Sequence, residues 1–224
     1  MPLEHWYDQA MTAEVYIEEM EKHRENLQKV YDEFQVPDDE NFFRQLEKRK
    51  LRVIVLTEDW CGDAMMNIPI LLHLAEKSHM EVRMLLRDSN LELMDQYLTN
   101  GRSRSIPIFI FIDEDGEEVA HWGPRSETVQ TAVEELMAGL PEKDAPEYDA
   151  EFKKAIQTLT SRFISDETVW QATYESIKET LGGKAVVRCT FVHLFLSNSP
   201  SQAERWQVGG LTHHRGRNDG KLEG

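Results

Sequence analysis

Residues 51–63 have the sequence LRVIVLTEDWCGD, which joins an apolar run to a turn and the start of a helix. The run 51–56 is short and rich in β-branched residues, a pattern that predicts a central strand covered on both faces. The next segment, 64–77, predicts a helix that contains Pro69. A cysteine at the N-terminus of such a helix meets unpaired backbone N–H groups and the positive end of the helix dipole, and both favour the thiolate. We therefore predict that Cys61 is presented at one end of a sheet.

The segments around this unit predict a layered α/β domain. Strands are predicted at 81–86, 106–112 and 117–122, and helices at 13–34, 39–48, 91–98 and 126–140. The last two strands flank the turn Asp113–Gly116 and are therefore expected to form an antiparallel hairpin. Since strands and helices alternate before that hairpin, the earlier strands are expected to pair in parallel.

The two flanks of the chain differ from its middle in pattern and charge. We predict an N-terminal helical extension at 1–49, a central domain at 50–140, a C-terminal helical hairpin at 147–183 and an atypical tail at 184–224. The last boundary rests on charge, because residues 182–224 carry six basic and three acidic residues, a balance of +3 that leaves −19 on residues 1–181. The regular apolar stripes of the hairpin predict that it packs against another surface.

Composition excludes several classes of protein. The chain has 224 residues, 40% of them hydrophobic, a formal charge of −16 and two cysteines, Cys61 and Cys189. This balance is typical of a globular protein and argues against nucleic acid or an anionic membrane as a partner. Neither a signal peptide nor an apolar run long enough to span a bilayer is present, so we predict the cytoplasm. Two cysteines and the neighbouring His213 and His214 supply too few ligands for a metal site, so no metal or cofactor is predicted.

Several motifs occur in an order that resembles the thioredoxin family. They are Trp60-Cys61-Gly62 after the apolar strand, Pro69 eight residues after the cysteine, Ile106-Pro107 before a later strand, and Gly116 and Gly123 in the hairpin. The resemblance, to the bacterial type with helical extensions, covers residues 50–140. It implies a thioredoxin-like α/β fold, with a central mixed β-sheet flanked by helices and additional N- and C-terminal helices. It also implies that Ile106-Pro107 contains a cis peptide bond and forms a substrate ledge facing Cys61.

Three positions depart from the family pattern. Ala64 stands where the second active-site cysteine is expected, Asp63 where a proline is expected, and Val55 where a buried acid is expected. A dithiol cycle releases its mixed disulfide through attack by a second thiol, which Ala64 cannot supply. The distant Cys189 lies in an apolar run, where a cysteine usually packs as a small hydrophobic side chain. General dithiol reductase activity is therefore not expected.

The charges near Cys61 predict opposing effects on its pKa. Three acids lie close to it in the sequence: Glu58, Asp59 and Asp63. These acids raise the pKa, whereas the helix N-terminus lowers it. Arg102 and Arg104 precede the ledge and can offset the acids. The sequence does not decide the sign of the net effect.

Two functions follow from these residues. In the first, Cys61 is the nucleophile of a monothiol redox protein that forms a mixed disulfide with a protein or a low-molecular-weight thiol or disulfide, and its pKa lies well below the reference of about 8.5. Its substrate site comprises Trp60, Gly62, Asp63, Ile106 and Pro107. In the alternative, a redox-inactive domain uses the same ledge to bind a peptide or protein partner. A homodimer formed through the hairpin 147–181 is a third hypothesis.

Overall fold

The predicted strand at 51–56 corresponds to the middle strand of a five-stranded mixed sheet in the computed structural model, which describes residues 2–182. The strands are β1 (Met11–Thr12), β2 (Arg52–Thr57), β3 (Glu81–Leu86), β4 (Ile108–Ile112) and β5 (Glu118–Trp122), in the spatial order β1-β3-β2-β4-β5. β2 and β3 are parallel, whereas β4 is antiparallel to both β2 and β5. All of β4, and β2 after its first residue, are buried, as the continuous apolar runs predict. The expected central mixed sheet is confirmed.

The helices flank this sheet and extend the fold at both ends. They are α1 (Leu3–Gln9), α2 (Ala13–Glu19), α3 (Arg24–Glu33), α4 (Glu40–Glu47), α5 (Gly62–Ser78), α6 (Leu91–Met94), α7 (Glu127–Ala138), α8 (Tyr148–Phe163) and α9 (Glu167–Gly182). The prediction of a single helix at 13–34 is wrong, because the chain leaves the helix between α2 and α3. The Asp59 carboxylate accepts hydrogen bonds there from the backbone N–H groups of Glu21 and Lys22, both at 2.9 Å. A contact with a distant residue thus interrupts a helix that local spacing favours.

Polar side chains cap the start of two helices, α2 and α7. Thr12 and Ser126 each accept a backbone N–H from the first turn of the helix that follows, at 3.3 Å, as their positions predict. Asp39 precedes α4, but its side chain does not cap that helix. Its carboxylate instead accepts hydrogen bonds from Tyr174 Oη at 2.8 Å and from Lys178 Nζ at 2.7 Å. This contact joins α4 to α9.

α8 and α9 occupy the region of the predicted hairpin and contribute to the same hydrophobic core as the sheet. Trp170 and Tyr174 of α9 are almost fully buried, and Trp170 Nε1 donates a hydrogen bond to the Phe163 carbonyl at 2.7 Å. Within residues 2–182, no helix is long and apolar enough to cross a bilayer.

The predicted domain boundaries at 49, 140 and 183 stay predictions. The predicted tail at 184–224 lies outside the described residues. Cys189 and the pair His213-His214 belong to that tail, so the interpretations placed on them stay predictions as well.

Candidate functional site

The strand pairing brings three separate loops to one end of the sheet. The end of β2 lies beside the start of β4, since Leu56 pairs with Ile108. The end of β5 lies there too, since Trp122 pairs with Phe109. The residues that follow β2, precede β4 and follow β5 therefore meet at this end, which contains Cys61.

Cys61 is the residue that precedes α5, and its side chain is buried. Only 7% of the residue is exposed, and its Sγ donates a hydrogen bond to the Ile106 carbonyl oxygen at 3.3 Å. Burial, and secondarily the negative charge of Asp63, raises the pKa of the Cys61 thiol to about 11. Backbone N–H groups at the start of α5 and the Arg125 guanidinium oppose this shift but do not cancel it. At neutral pH, Cys61 is therefore a thiol that donates a hydrogen bond.

Asp63 and Arg125 form an ion pair beside Cys61. The guanidinium binds both carboxylate oxygens, with Nε–Oδ1 at 2.5 Å and Nη2–Oδ2 at 2.6 Å, and its Nη1 donates to Gln130 Oε1 at 2.9 Å. Asp63 is only 9% exposed. Burial raises the pKa of this carboxyl group, and Arg125 partly offsets that effect. The pair positions a charged residue in the first turn of α5 without leaving it uncompensated.

Sequence reasoning missed Arg125, although the hairpin topology contains a signal for it. The residues after β5 must emerge next to the residues before β4, because the two strands are antiparallel neighbours. The two arginines that the sequence suggested, Arg102 and Arg104, make other contacts or none that involve Asp63 within residues 2–182. Arg104 forms a two-point ion pair with Asp95, at 2.6 and 2.9 Å, and Arg102 is exposed. The cation that lowers the pKa of Cys61 is Arg125.

The ledge predicted at Ile106-Pro107 lies against β5 and its following loop. The Ile106–Pro107 peptide bond is cis, as is the bond between Gly123 and Pro124. Gly123 has a φ of 128°, and a Cβ atom there would lie 2.1 Å from the Pro107 carbonyl oxygen. Only glycine allows the two loops to approach this closely.

Asn67 is a second site residue that sequence reasoning missed. It is fully buried in α5, and its Nδ2 donates a hydrogen bond to the Pro124 carbonyl at 2.9 Å. Because α5 also begins at the cysteine loop, this bond connects the loop after β5 to the helix that follows Cys61. An asparagine in a strongly apolar helix segment is the sequence signal that could have identified it.

Trp60 and Gly62 form the exposed part of the site. Trp60 is 42% exposed, and the Arg87 guanidinium lies over its ring at 4.9 Å from the centroid. A Cβ atom at Gly62 would meet nothing within 4 Å apart from its chain neighbours and its own helix backbone, so the surface there is open. The structure thus brings Cys61, Asp63 and Ile106 into one buried cluster and leaves Trp60 accessible beside it. Within residues 2–182, no group of three or more His, Cys, Asp or Glu side chains is arranged to bind a metal ion.

Two solved structures share this fold at low sequence identity. The crystal structure of an HIV epitope-scaffold is 12% identical, with a TM-score of 0.58, and the match covers 83% of this chain and 100% of that chain. The crystal structure of a protein of unknown function from Pseudomonas aeruginosa is 15% identical, with a TM-score of 0.53, and the match covers 72% of this chain and 96% of that chain. No curated protein matches the sequence.

A family model described as thioredoxin matches residues 10–138, which is more than half of the chain. The matched segment includes the mixed sheet, the cysteine loop and the ledge. This chain therefore belongs to the thioredoxin family.

Proposed function

We propose that this protein is a thioredoxin-fold binding module that holds an extended peptide segment of a partner on the ledge beside Trp60, with Cys61 kept as a thiol. The observation that carries the proposal is the buried hydrogen bond from Cys61 Sγ to the Ile106 carbonyl, at 3.3 Å. Through this bond, the Cys61 sulfur holds the backbone of Ile106 in position. A thiol with a pKa of about 11 has only about one ten-thousandth of its population as thiolate at pH 7.

In this site, exposed residues are available to contact a partner, and buried residues hold the ledge in position. Trp60 is 42% exposed, and tryptophan is among the side chains enriched as anchors in protein interfaces. Ile106 is only 4% exposed and its carbonyl already accepts the Cys61 thiol, so the partner contacts the exposed Trp60 side chain and the open surface at Gly62. Ala64 removes the second thiol that a dithiol reductase needs. These features support binding over dithiol turnover.

Alkylation of Cys61 should show whether the thiol is protonated. In a Cys189→Ser background, we expect the rate of reaction with iodoacetamide to rise with pH, with a midpoint well above about 8.5. Asp63→Asn should lower this midpoint, because it removes a negative charge that raises the pKa of Cys61. The same protein in denaturant, with a midpoint near about 8.5, is the control. A midpoint below pH 7 in the folded protein contradicts the proposal.

Peptide selection tests the binding function directly. We expect phage-displayed peptides selected against the protein to bind with micromolar affinity and to keep that affinity in Cys61→Ser. Trp60→Ala should weaken binding at least about 10-fold, because it removes the exposed anchor. Phe152→Ala is the matched control, since this aromatic residue is 40% exposed on α8. Binding that is unaffected by Trp60→Ala sinks the proposal.

A monothiol redox function is the second candidate, favoured by the backbone N–H groups of Asp63 and Ala64, which lower the pKa of Cys61. In the step, the Cys61 thiolate attacks one sulfur of glutathione disulfide, a new S–S bond forms to Cys61, and glutathione leaves as its thiolate. Mass spectrometry would detect this adduct. Selected peptides that all contain cysteine, and that are lost in Cys61→Ser, favour this candidate over the binding module.

A further inference from the structure

A cavity of about 230 Å³ is lined by Glu58 and Asp59, the two residues before Trp60, and by Leu86 at the end of β3. One part of its wall is apolar and includes Met20 and Leu86, together with the ring of Tyr16. The other part is acidic. It includes Glu58 near the floor and Glu19 and Glu21 at the exposed rim. We call this space the acidic cavity.

Glu58 is the buried charge of the acidic cavity. Only 8% of the residue is exposed, and its Oε1 accepts a hydrogen bond from the backbone N–H of Asp88 at 2.8 Å. Within residues 2–182, the second oxygen, Oε2, accepts no hydrogen bond and is not among the buried unpartnered atoms, so it is accessible from the cavity. Burial raises the pKa of this carboxyl group. The Asp88 N–H and the Arg87 charge partly oppose this shift. Because Oε2 is accessible and accepts no hydrogen bond, it can accept one from a donor that enters the cavity.

The wall of the acidic cavity is held in place by hydrogen bonds. The Asp59 carboxylate accepts the backbone N–H groups of Glu21 and Lys22, and this contact shapes the break between α2 and α3. Tyr16 is 2% exposed, and its Oη forms a hydrogen bond with Thr57 Oγ1 at 3.3 Å. The break in the helix, which local spacing did not predict, therefore creates one side of the cavity.

The size and composition of the acidic cavity indicate the kind of group it can bind. Its volume is below the roughly 300–1,000 Å³ of small-molecule sites, so one long side chain fits better than a cofactor. An apolar wall matches an aliphatic stem, and an acidic floor and rim match a cationic head. Residues 1–181 also carry a formal net charge of −19, which attracts a basic partner.

We propose that the acidic cavity binds a lysine or arginine side chain of the peptide that lies on the ledge, so that the partner of this protein is a basic extended segment. The inference rests on the proposed function, because Glu58 and Asp59 directly precede Trp60. The aliphatic stem lies against Met20 and Leu86. Its cationic head faces Glu58 and the two rim glutamates.

A small probe tests the acidic cavity without the ledge. We expect N-acetyl-lysine methylamide to shift the methyl NMR signals of Met11 and Met20, which line the cavity, with a millimolar Kd. The norleucine analogue has the same aliphatic stem without the charge and should bind at least about 10-fold more weakly. Glu58→Gln keeps an acceptor for the Asp88 N–H but removes the charge, and it should weaken lysine-amide binding by about 10-fold.

Two further variants guard against a failure of Glu58→Gln to fold. The double variant Glu19→Gln/Glu21→Gln changes only exposed side chains and should weaken the lysine amide about 2- to 3-fold. Glu142→Gln removes a charge from a residue that does not line the cavity, and it should leave the Kd of the lysine amide unchanged. Equal binding of the lysine and norleucine amides, or an unchanged Kd in both cavity variants, overturns the inference.

The same titration in Trp60→Ala separates this inference from the proposed function. We expect the Kd of the lysine amide to stay unchanged in this variant, while the binding of selected peptides weakens at least about 10-fold. Peptides can also be selected in parallel against the wild type and against Glu58→Gln. If the wild-type peptides bind through Trp60 but contain no more lysine or arginine than those selected against Glu58→Gln, the ledge function stands and the preference for a basic segment is refuted.

Discussion

Arg125→Gln is expected to lower the free energy of unfolding by about 3–5 kcal/mol at neutral pH. The Arg125 guanidinium binds both oxygens of Asp63, and glutamine cannot reproduce this two-point contact. Because Asp63 is only 9% exposed, the substitution leaves a buried carboxylate without a compensating charge. Urea denaturation of the wild type and the variant measures the difference.

The deficit of Arg125→Gln should depend on pH with a definite sign. Burial raises the pKa of Asp63 even beside Arg125, and loss of the guanidinium raises it further. A carboxyl group with a raised folded-state pKa stabilises the fold most below its unfolded pKa, and this contribution is lost as the pH rises through the folded pKa. The deficit is therefore smallest near the unfolded value of 3.8 and grows towards neutral pH.

Two variants control for the loss of the arginine itself. Arg104→Gln breaks the pair with Asp95, whose side chains are about half exposed, and should leave the free energy of unfolding nearly unchanged. The double variant Asp63→Asn/Arg125→Gln should recover most of the stability, because no buried charge remains. A deficit for Arg125→Gln that is no larger at neutral pH than near pH 4 contradicts this account.

Gly123→Ala is expected to cost about 3 kcal/mol or more in the free energy of unfolding. Its added Cβ would lie 2.1 Å from the Pro107 carbonyl oxygen, and its φ of 128° is strained for any residue with a Cβ. The atom that blocks it belongs to backbone, so a side-chain rotation cannot relieve the clash. Urea denaturation measures the effect, with Gly139→Ala as the matched control.

The control position, Gly139, has an ordinary φ and room for a Cβ atom, which Gly123 lacks. Gly139 has a φ of −79°, and a Cβ atom there meets its nearest atom at 3.5 Å. Alanine should therefore be tolerated at that position. If both variants lose the same free energy, the close approach of the ledge to the loop after β5 is not the cause.

Local patterns were sufficient to predict most of the sheet. The run at 51–56 is continuous and apolar because β2 is buried on both faces, and burial of that kind leaves a direct mark on the residues. The same holds for β4. The two-residue strand β1 and the break between α2 and α3 left no such mark, since each depends on a partner elsewhere in the chain: Arg83 and Met84 for β1, and Asp59 for the break.

The site was predictable in its residues but not in its electrostatics. Trp60-Cys61-Gly62 and Ile106-Pro107 identify the two loops from motifs alone, and Ala64 alone rules out a local dithiol cycle. The dominant influence on the pKa of Cys61 is burial, and the charged residues near it in the sequence do not reveal how deeply it is buried. The compensating cation is Arg125, which is 62 residues from Asp63 in the chain and reaches it only because β5 returns to the ledge.

Sequence therefore established the family pattern, the order of helices and strands along the chain and the absence of a second thiol next to Cys61, because each of these depends on residues close together in the chain. Tertiary structure alone decided that Cys61 is a buried donor to Ile106, that Asp63 is paired, and that Glu58 faces a cavity. The physical reason is common to all three. Solvent exposure and charge pairing depend on distances between residues far apart in the chain, and local patterns do not specify those distances.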